Sequence, residues 1–164
     1  MRDTVYRNGE HLTEDQGEAQ DIWEATVREL KKCGRGDVLN KPFVLDLGGG
    51  AGEFAKNLNK QGIFCTSLDM KQIVYKEGAH QVRADAHKIP FSDESMSVVY
   101  SRGGLDQRVY TFDYAKLISE IARVLKTKGV FIHFIGDLPA HELEKYFTCL
   151  KKDEFNFPNI WEKK

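Results

Sequence analysis

Five short apolar runs alternating with amphipathic stretches constrain this chain more than any other feature in it. The runs are "FVLDL" from Phe43, "IFCTSLD" from Ile63, "HQVRAD" from His80, "SVVYS" from Ser97 and "GVFIHFIG" from Gly129. Helical periodicity separates them over about 52–61, 71–76 and 112–125, and in the last stretch Leu117, Ile118, Ile121, Val124 and Leu125 form one stripe. Parallel strands need a crossover connection, usually a helix, and a parallel sheet is normally covered on both faces. The expectation is an α/β fold: a doubly wound, mostly parallel sheet with helices on both faces.

The flanks are less regular. "TEDQ" at Thr13–Gln16 fits a capping box, and beyond it Ala19, Ile22, Trp23, Val27 and Leu30 share one helix face until "CGRG" at Cys33–Gly36 stops the run. "KTKG" after Leu125 is expected to close its helix, with cations in the final turn and a glycine beyond. A further helix is expected over 139–150. The "PN" of "DEFNFPNIWEKK" is placed to turn a small C-terminal β-hairpin. At 164 residues the chain is one domain, 1–164, divided into an N-terminal helical segment, 1–36, and a core, 37–164.

Glycine occupies four of the five positions from Gly48 to Gly52, between the first apolar run and a helix. Ordering glycine is costly in backbone entropy, so the cluster implies positive φ angles or something pressed against bare backbone. In a doubly wound sheet this is where a ligand sits, outside the carboxyl end of the first strand. Phosphate-binding patterns fit poorly. Glu53 stands where a dinucleotide fingerprint needs its third glycine, no Lys-Ser or Lys-Thr follows, and an acid at the helix start repels a pyrophosphate.

Composition narrows the partners. With 24 basic and 25 acidic side chains the net charge is -1, which supplies no field for a polyanion or an anionic membrane, so nucleic acid is not the expected partner. The apolar runs are far short of the roughly 18 residues that span a bilayer, and the polar start is no signal peptide, so a cytoplasmic protein is expected. Cys33, Cys65 and Cys149 are odd in number and widely spaced, which supports neither a disulfide framework nor a metal site.

Asp46 with Gly48, Gly50 and Gly52 resembles motif I of the class I S-adenosylmethionine-dependent methyltransferases, and the resemblance extends over about 38–134. "LDM" places Asp69 where that family grips the ribose hydroxyls. "RADAHKIPFSDESMSVVYS" is similar to the segment whose aspartate, here Asp85, meets the adenine amine. "LISEIARVLKTKGVFIHF" resembles the helix, turn and fifth strand of the ubiquinone-biosynthesis-like branch. The resemblance implies S-adenosylmethionine as cofactor, S-adenosylhomocysteine as product, and a cofactor site made of Asp46, Gly48, Gly49, Gly50, Gly52, Asp69, Met70, Asp85, Ala86, Ser101 and Arg102. Residue chemistry agrees with it. A sulfonium nucleoside carries no phosphate, so carboxylates can accept from its diol and amine, and Met70 and Ile89 can offer apolar contact.

In the family, the segment after the fourth strand lies beside the transferable methyl; here it is "SRGGLDQRVYTFDY", from Ser101 to Tyr114. It lacks the Asn/Asp-Pro-Pro-aromatic and Pro-Cys signatures of DNA methylation, and it has Asp106 and Gln107 where the ubiquinone-like branch often has histidines. Asp106, Tyr110 and His133 are candidates for handling a proton, and Arg102 and Arg108 for steering an acidic substrate. The helix over 13–32 is expected to lie across the site as a lid, from which Tyr6 and Trp23 would reach substrate. The function expected is methyl transfer to a small-molecule acceptor by direct in-line displacement. Two alternatives stand beside it: a cofactor-binding module without turnover that works with a protein partner, and a methyltransferase of protein or RNA. The short connection after Ser101 also leaves room for a homodimer or another chain to complete an open site.

Overall fold

The computed structural model describes residues 16–40, 42–71, 78–105, 111–134, 138–152 and 158–164. Helix α1 (Gln16–Lys32) and a 3-10 turn (Gly36–Leu39) lead into β1 (Phe43–Leu47), α2 (Glu53–Lys60), β2 (Phe64–Asp69), β3 (Gln81–Arg83) and β4 (Met96–Arg102). Then follow α3 (Tyr114–Val124), β5 (Leu125–Phe134), α4 (Ala140–Tyr146), β6 (Phe147–Lys151) and β7 (Asn159–Lys163). One sheet takes the order β3-β2-β1-β4-β5-β7-β6, parallel from β3 to β5 and antiparallel at β5–β7 and β7–β6. The doubly wound class expected from the sequence is therefore the fold observed. The order reverses between β1 and β4, which is where such sheets open a ligand crevice.

Both faces of the sheet are apolar because successive strand residues point to opposite sides. Val44, Val98, Tyr100, Val130 and Ile132 pack with Trp23 and Leu30 of α1 and with Phe54 and Leu58 of α2. Leu45, Leu47, Val99 and Phe131 pack with Leu117, Ile118 and Ile121 of α3 and Leu143 of α4. A register shift between Met96 and Val98 lets Met96 join the α3 side although Val98 faces α2. No helix among the described residues is long and apolar enough to cross a membrane.

Four expectations are corrected. The described part of α1 is a layer of the core and not a lid over the site. Trp23 is 3% exposed and meets Phe54 edge-to-face at 5.9 Å, so it is removed from the substrate candidates, while Tyr6 lies outside the described residues. "KTKG" does not end a helix: α3 stops at Val124, and Leu125 already pairs with Met96 as the start of β5. The helix over 139–150 stops at Tyr146, because Phe147 is buried against Phe131 at 6.1 Å and the chain continues as β6. A C-terminal hairpin is present, but it pairs β6 with β7, so "PN" does not form its turn: Asn159 is the first residue of β7. Most of the short helix expected over 71–76 lies outside the described residues.

Long-range ion pairs tie the ends of the fold together. Arg35 pairs with Glu162 of β7 and with Asp37 at 2.9 Å, and donates to the Lys128 carbonyl at 2.6 Å. Lys151 of β6 meets Glu29 of α1 at 2.7 Å. If α1 is a core layer, Trp23→Ala lowers unfolding stability by about 3–5 kcal/mol, the range for removing a buried large aromatic. Urea denaturation checks this; a change under about 0.5 kcal/mol would restore the lid reading.

Candidate functional site

The carboxyl ends of β1, β2 and β4 bring the glycine loop, Asp69 and Ser101 to one edge of the sheet. β1 ends at Leu47, and the Gly48 amide donates to Leu68 O at 2.8 Å, carrying the loop toward β2. Gly48 has φ 70°, and a Cβ there would lie 2.5 Å from Gly104 Cα; a Cβ on Gly104 would lie 2.6 Å from Gly48 Cα and from Leu47 O. The two loops that flank the switch point thus touch backbone to backbone, and neither position has room for a side chain.

Beneath the loop lie polar groups. Asp46 is 3% exposed, Ser67 is its register neighbour on β2, and a Cβ at Gly49 would run into Asp46 Oδ2 and Ser67 Oγ. Burial, with the Asp46 charge adding to it, pushes the nearby Cys65 thiol well up. Glu53, in the first turn of α2, is also buried. Two buried acids beneath and beside the loop are a poor match for a phosphate.

Asp69 closes the loop from the side: its Oδ2 accepts from Gly50 N at 3.1 Å and its Oδ1 from Lys71 N at 2.9 Å. Each carboxylate oxygen keeps a second acceptor site, so a diol can still be bound. Met70 beside it is 55% exposed, free to cover a flat ligand. Ala84 N donates to Asp69 O at 3.0 Å, which brings the loop with Asp85 and Ala86 next to β2. Asp85 Oδ1 accepts from the His87 backbone N at 2.8 Å and lies 2.7 Å from His87 Nδ1. The backbone bond from His87, foremost, holds the Asp85 carboxyl below its ordinary value against the opposing effect of burial, with the imidazole adding to it.

Across the crevice, Ser101 is fully buried and its Oγ donates to Leu47 O at 2.9 Å, pinning β4 to β1. Half-buried Arg102 follows, and Gly103 N donates to Phe134 O at 3.3 Å. His133 is buried opposite Ser101, its ring stacked on Phe131 at 5.4 Å. Asp106, Arg108 and Tyr110 lie outside the described residues. Ile89, assigned to ligand contact from the sequence, is 2% exposed and belongs to the α3-side core.

Two supports escaped sequence reasoning. Nothing in the sequence signals the backbone contact of Gly104, and Gln81 Nε2 donates to Gly50 O at 3.2 Å from a run whose strand was expected but whose side-chain role was not. A third device carries the loop of Asp85. Arg123 of α3 donates to the carbonyls of Ile89 and Phe91, both at 2.8 Å, and forks onto Glu120, whose Oε2 accepts from Ile89 N at 2.8 Å.

A crevice at a sheet's switch point, a glycine loop over buried acids and two aspartates on neighbouring loops define a doubly wound α/β domain with a ligand crevice at the carboxyl edge of its sheet. The family model described as "Methyltransferase domain" matches residues 45–133, and this chain belongs to that family, whose cofactor is S-adenosylmethionine. A curated relative, the glycine/sarcosine/dimethylglycine N-methyltransferase of Actinopolyspora halophila, is 26% identical over 136 residues, 74% of this chain and 24% of that protein. The chain spans 24 to 40% of the length of the curated relatives it matches. Two solved structures share the fold. The PH0226 protein of Pyrococcus horikoshii has a TM-score of 0.60 and 17% identity over 87% of this chain and 91% of its own. The 1,6-didemethyltoxoflavin-N1-methyltransferase of Burkholderia thailandensis, with 1,6-didemethyltoxoflavin and S-adenosylhomocysteine bound, has a TM-score of 0.60 and 13% identity over 94% and 92%.

The Glu120 carboxyl is held below its ordinary 4.5, first by the Arg123 guanidinium. A lowered folded value means that this stabilisation is present above the unfolded value and is lost as pH falls through the folded one. Arg123→Met therefore costs about 2 kcal/mol at pH 7, and the gap from wild type narrows as pH drops below about 4. Urea titrations at pH 7 and pH 3 read both effects.

Proposed function

We propose that this domain is an S-adenosylmethionine-dependent methyltransferase that methylates a small-molecule acceptor by direct in-line displacement. The observation that carries the reading is the Gly50 amide held on Asp69 Oδ2 at 3.1 Å, which sets the glycine loop and a half-exposed carboxylate side by side over the buried Asp46. The acidic donor set fits the cofactor, whose sulfonium and amino groups are cationic and whose nucleoside offers a diol and an amine. When bound, the cofactor supplies an electrophilic methyl group on positively charged sulfur.

In this reading Gly48 to Gly52 form the floor, Asp69 accepts from the ribose hydroxyls, Asp85 accepts from the adenine amine, and Met70 and Ala86 flank the base. The segment from Ser101 to Gly103 borders the reacting centre, its backbone held in place by the Ser101 bond to Leu47. The chain's task is then orientation and exclusion of water, which together can supply much of a displacement rate without a protein base. His133, buried on the sheet, is accordingly assigned no proton transfer here. Support for a small acceptor comes from the relative named for glycine, sarcosine and dimethylglycine, and from the structural neighbour holding a small heterocycle.

Calorimetric titration with S-adenosylmethionine and S-adenosylhomocysteine tests the reading. Saturable binding in the micromolar range is expected, weakened about 30-fold in Asp69→Ala, the size of losing charged hydrogen bonds to a ligand. A folded wild-type protein that binds neither compound refutes it.

A further inference from the structure

His87 makes two directed contacts that join separate parts of the fold. Its Nδ1 lies 2.7 Å from Asp85 Oδ1, and its Nε2 lies 3.1 Å from the backbone N of Asp113. A backbone amide can only donate, so Nε2 carries a lone pair and the proton sits on Nδ1, facing the carboxylate. The tautomer is thereby fixed by geometry at both ends. Asp113 is the N-cap of α3, with its Oδ1 accepting from Lys116 N at 3.1 Å. Phe112 packs beside the imidazole at 5.8 Å, and the His87 side chain is 18% exposed.

We propose that His87 is a positioning residue for the adenine end of the cofactor site: it holds the Asp85 carboxylate in place and couples it to the start of α3. The inference rests on the reading of Asp85 as the acceptor for the adenine amine. With Oδ1 occupied by two bonds from His87, Oδ2 is the oxygen left to accept from the base. An aspartate on an otherwise exposed loop swings freely between rotamers. Two bonds to one oxygen remove that freedom, so less ordering remains to be done when ligand arrives.

The test compares binding of S-adenosylhomocysteine with binding of its 6-oxo analogue, S-inosylhomocysteine, by calorimetry. The protein is the full chain as wild type, His87→Ala, His87→Asn and His87→Gln. Asparagine can reach Asp85 but not Asp113, and glutamine can reach Asp113, so the pair separates the two contacts. Wild type is expected to prefer the adenine compound at least tenfold. His87→Ala is expected to lose about tenfold in affinity for the adenine compound only, with His87→Asn recovering part of the preference. Melting temperatures within a few degrees identify variants that remain folded, and the two conservative variants keep the comparison open if alanine does not. Unchanged preference in the folded variants, alongside binding that Asp69→Ala still weakens, overturns the role of His87 and leaves the cofactor reading standing. Absence of binding by wild type removes both.

Discussion

The contact on which the site depends is between two pieces of bare backbone. Gly48 and Gly104 meet at a separation that admits no Cβ on either side, and this lets the loop after β1 and the segment after β4 close on each other at the point where strand order reverses. The Ser101 bond to Leu47 lies one layer below and fixes the same two strands in register. The requirement here is for the absence of a side chain, and a single methyl group at either position would force apart the strands that carry Asp46 and Ser101.

Charge divides along the same line. The buried acids Asp46 and Glu53 lie under the loop or beside its exit, while the more accessible Asp69 and Asp85 sit on the two neighbouring loops. A glycine loop at a helix start ordinarily invites an anion, because unpaired amides and the helix dipole point outward there. In this chain Asp69 Oδ2 accepts from one of those amides, Gly50 N, and the acids Asp46 and Glu53 are buried close by. The backbone shape of a nucleotide fold is retained with acidic side chains set around it.

Much of this was legible in the sequence because it is local. The strands from Phe43, Phe64 and Met96 follow apolar runs within a residue or so, and the glycines and Asp69 are close in sequence to the strands that carry them. What was not legible depends on distant partners. Trp23 lies on an amphipathic face that fits a lid and a core layer equally, and only Phe54 on α2 decides between them. "KTKG" has the composition of a helix end, yet the pairing of Leu125 with Met96 draws the chain into β5 first. Phe147 follows a helical pattern until Phe131 offers a better burial. Gly104 and Gln81 carry no motif at all; their roles exist only once the glycine loop has been folded against them.

The strand order also bears on how the chain acquires its site. β1 is an interior strand of the sheet with β2 on one side, and its other neighbour β4 is far downstream, the Ser101–Leu47 bond spanning 54 residues. An early β1–α2–β2 unit can form its own hydrogen bonds and carry the glycine loop, but it lacks the opposing wall. Closing that wall requires a long loop entropy to be overcome before the contact rewards it. The crevice is thus assembled late, by the same event that completes the parallel sheet, and a chain stalled before β4 docks carries the sequence of the motif without its binding geometry.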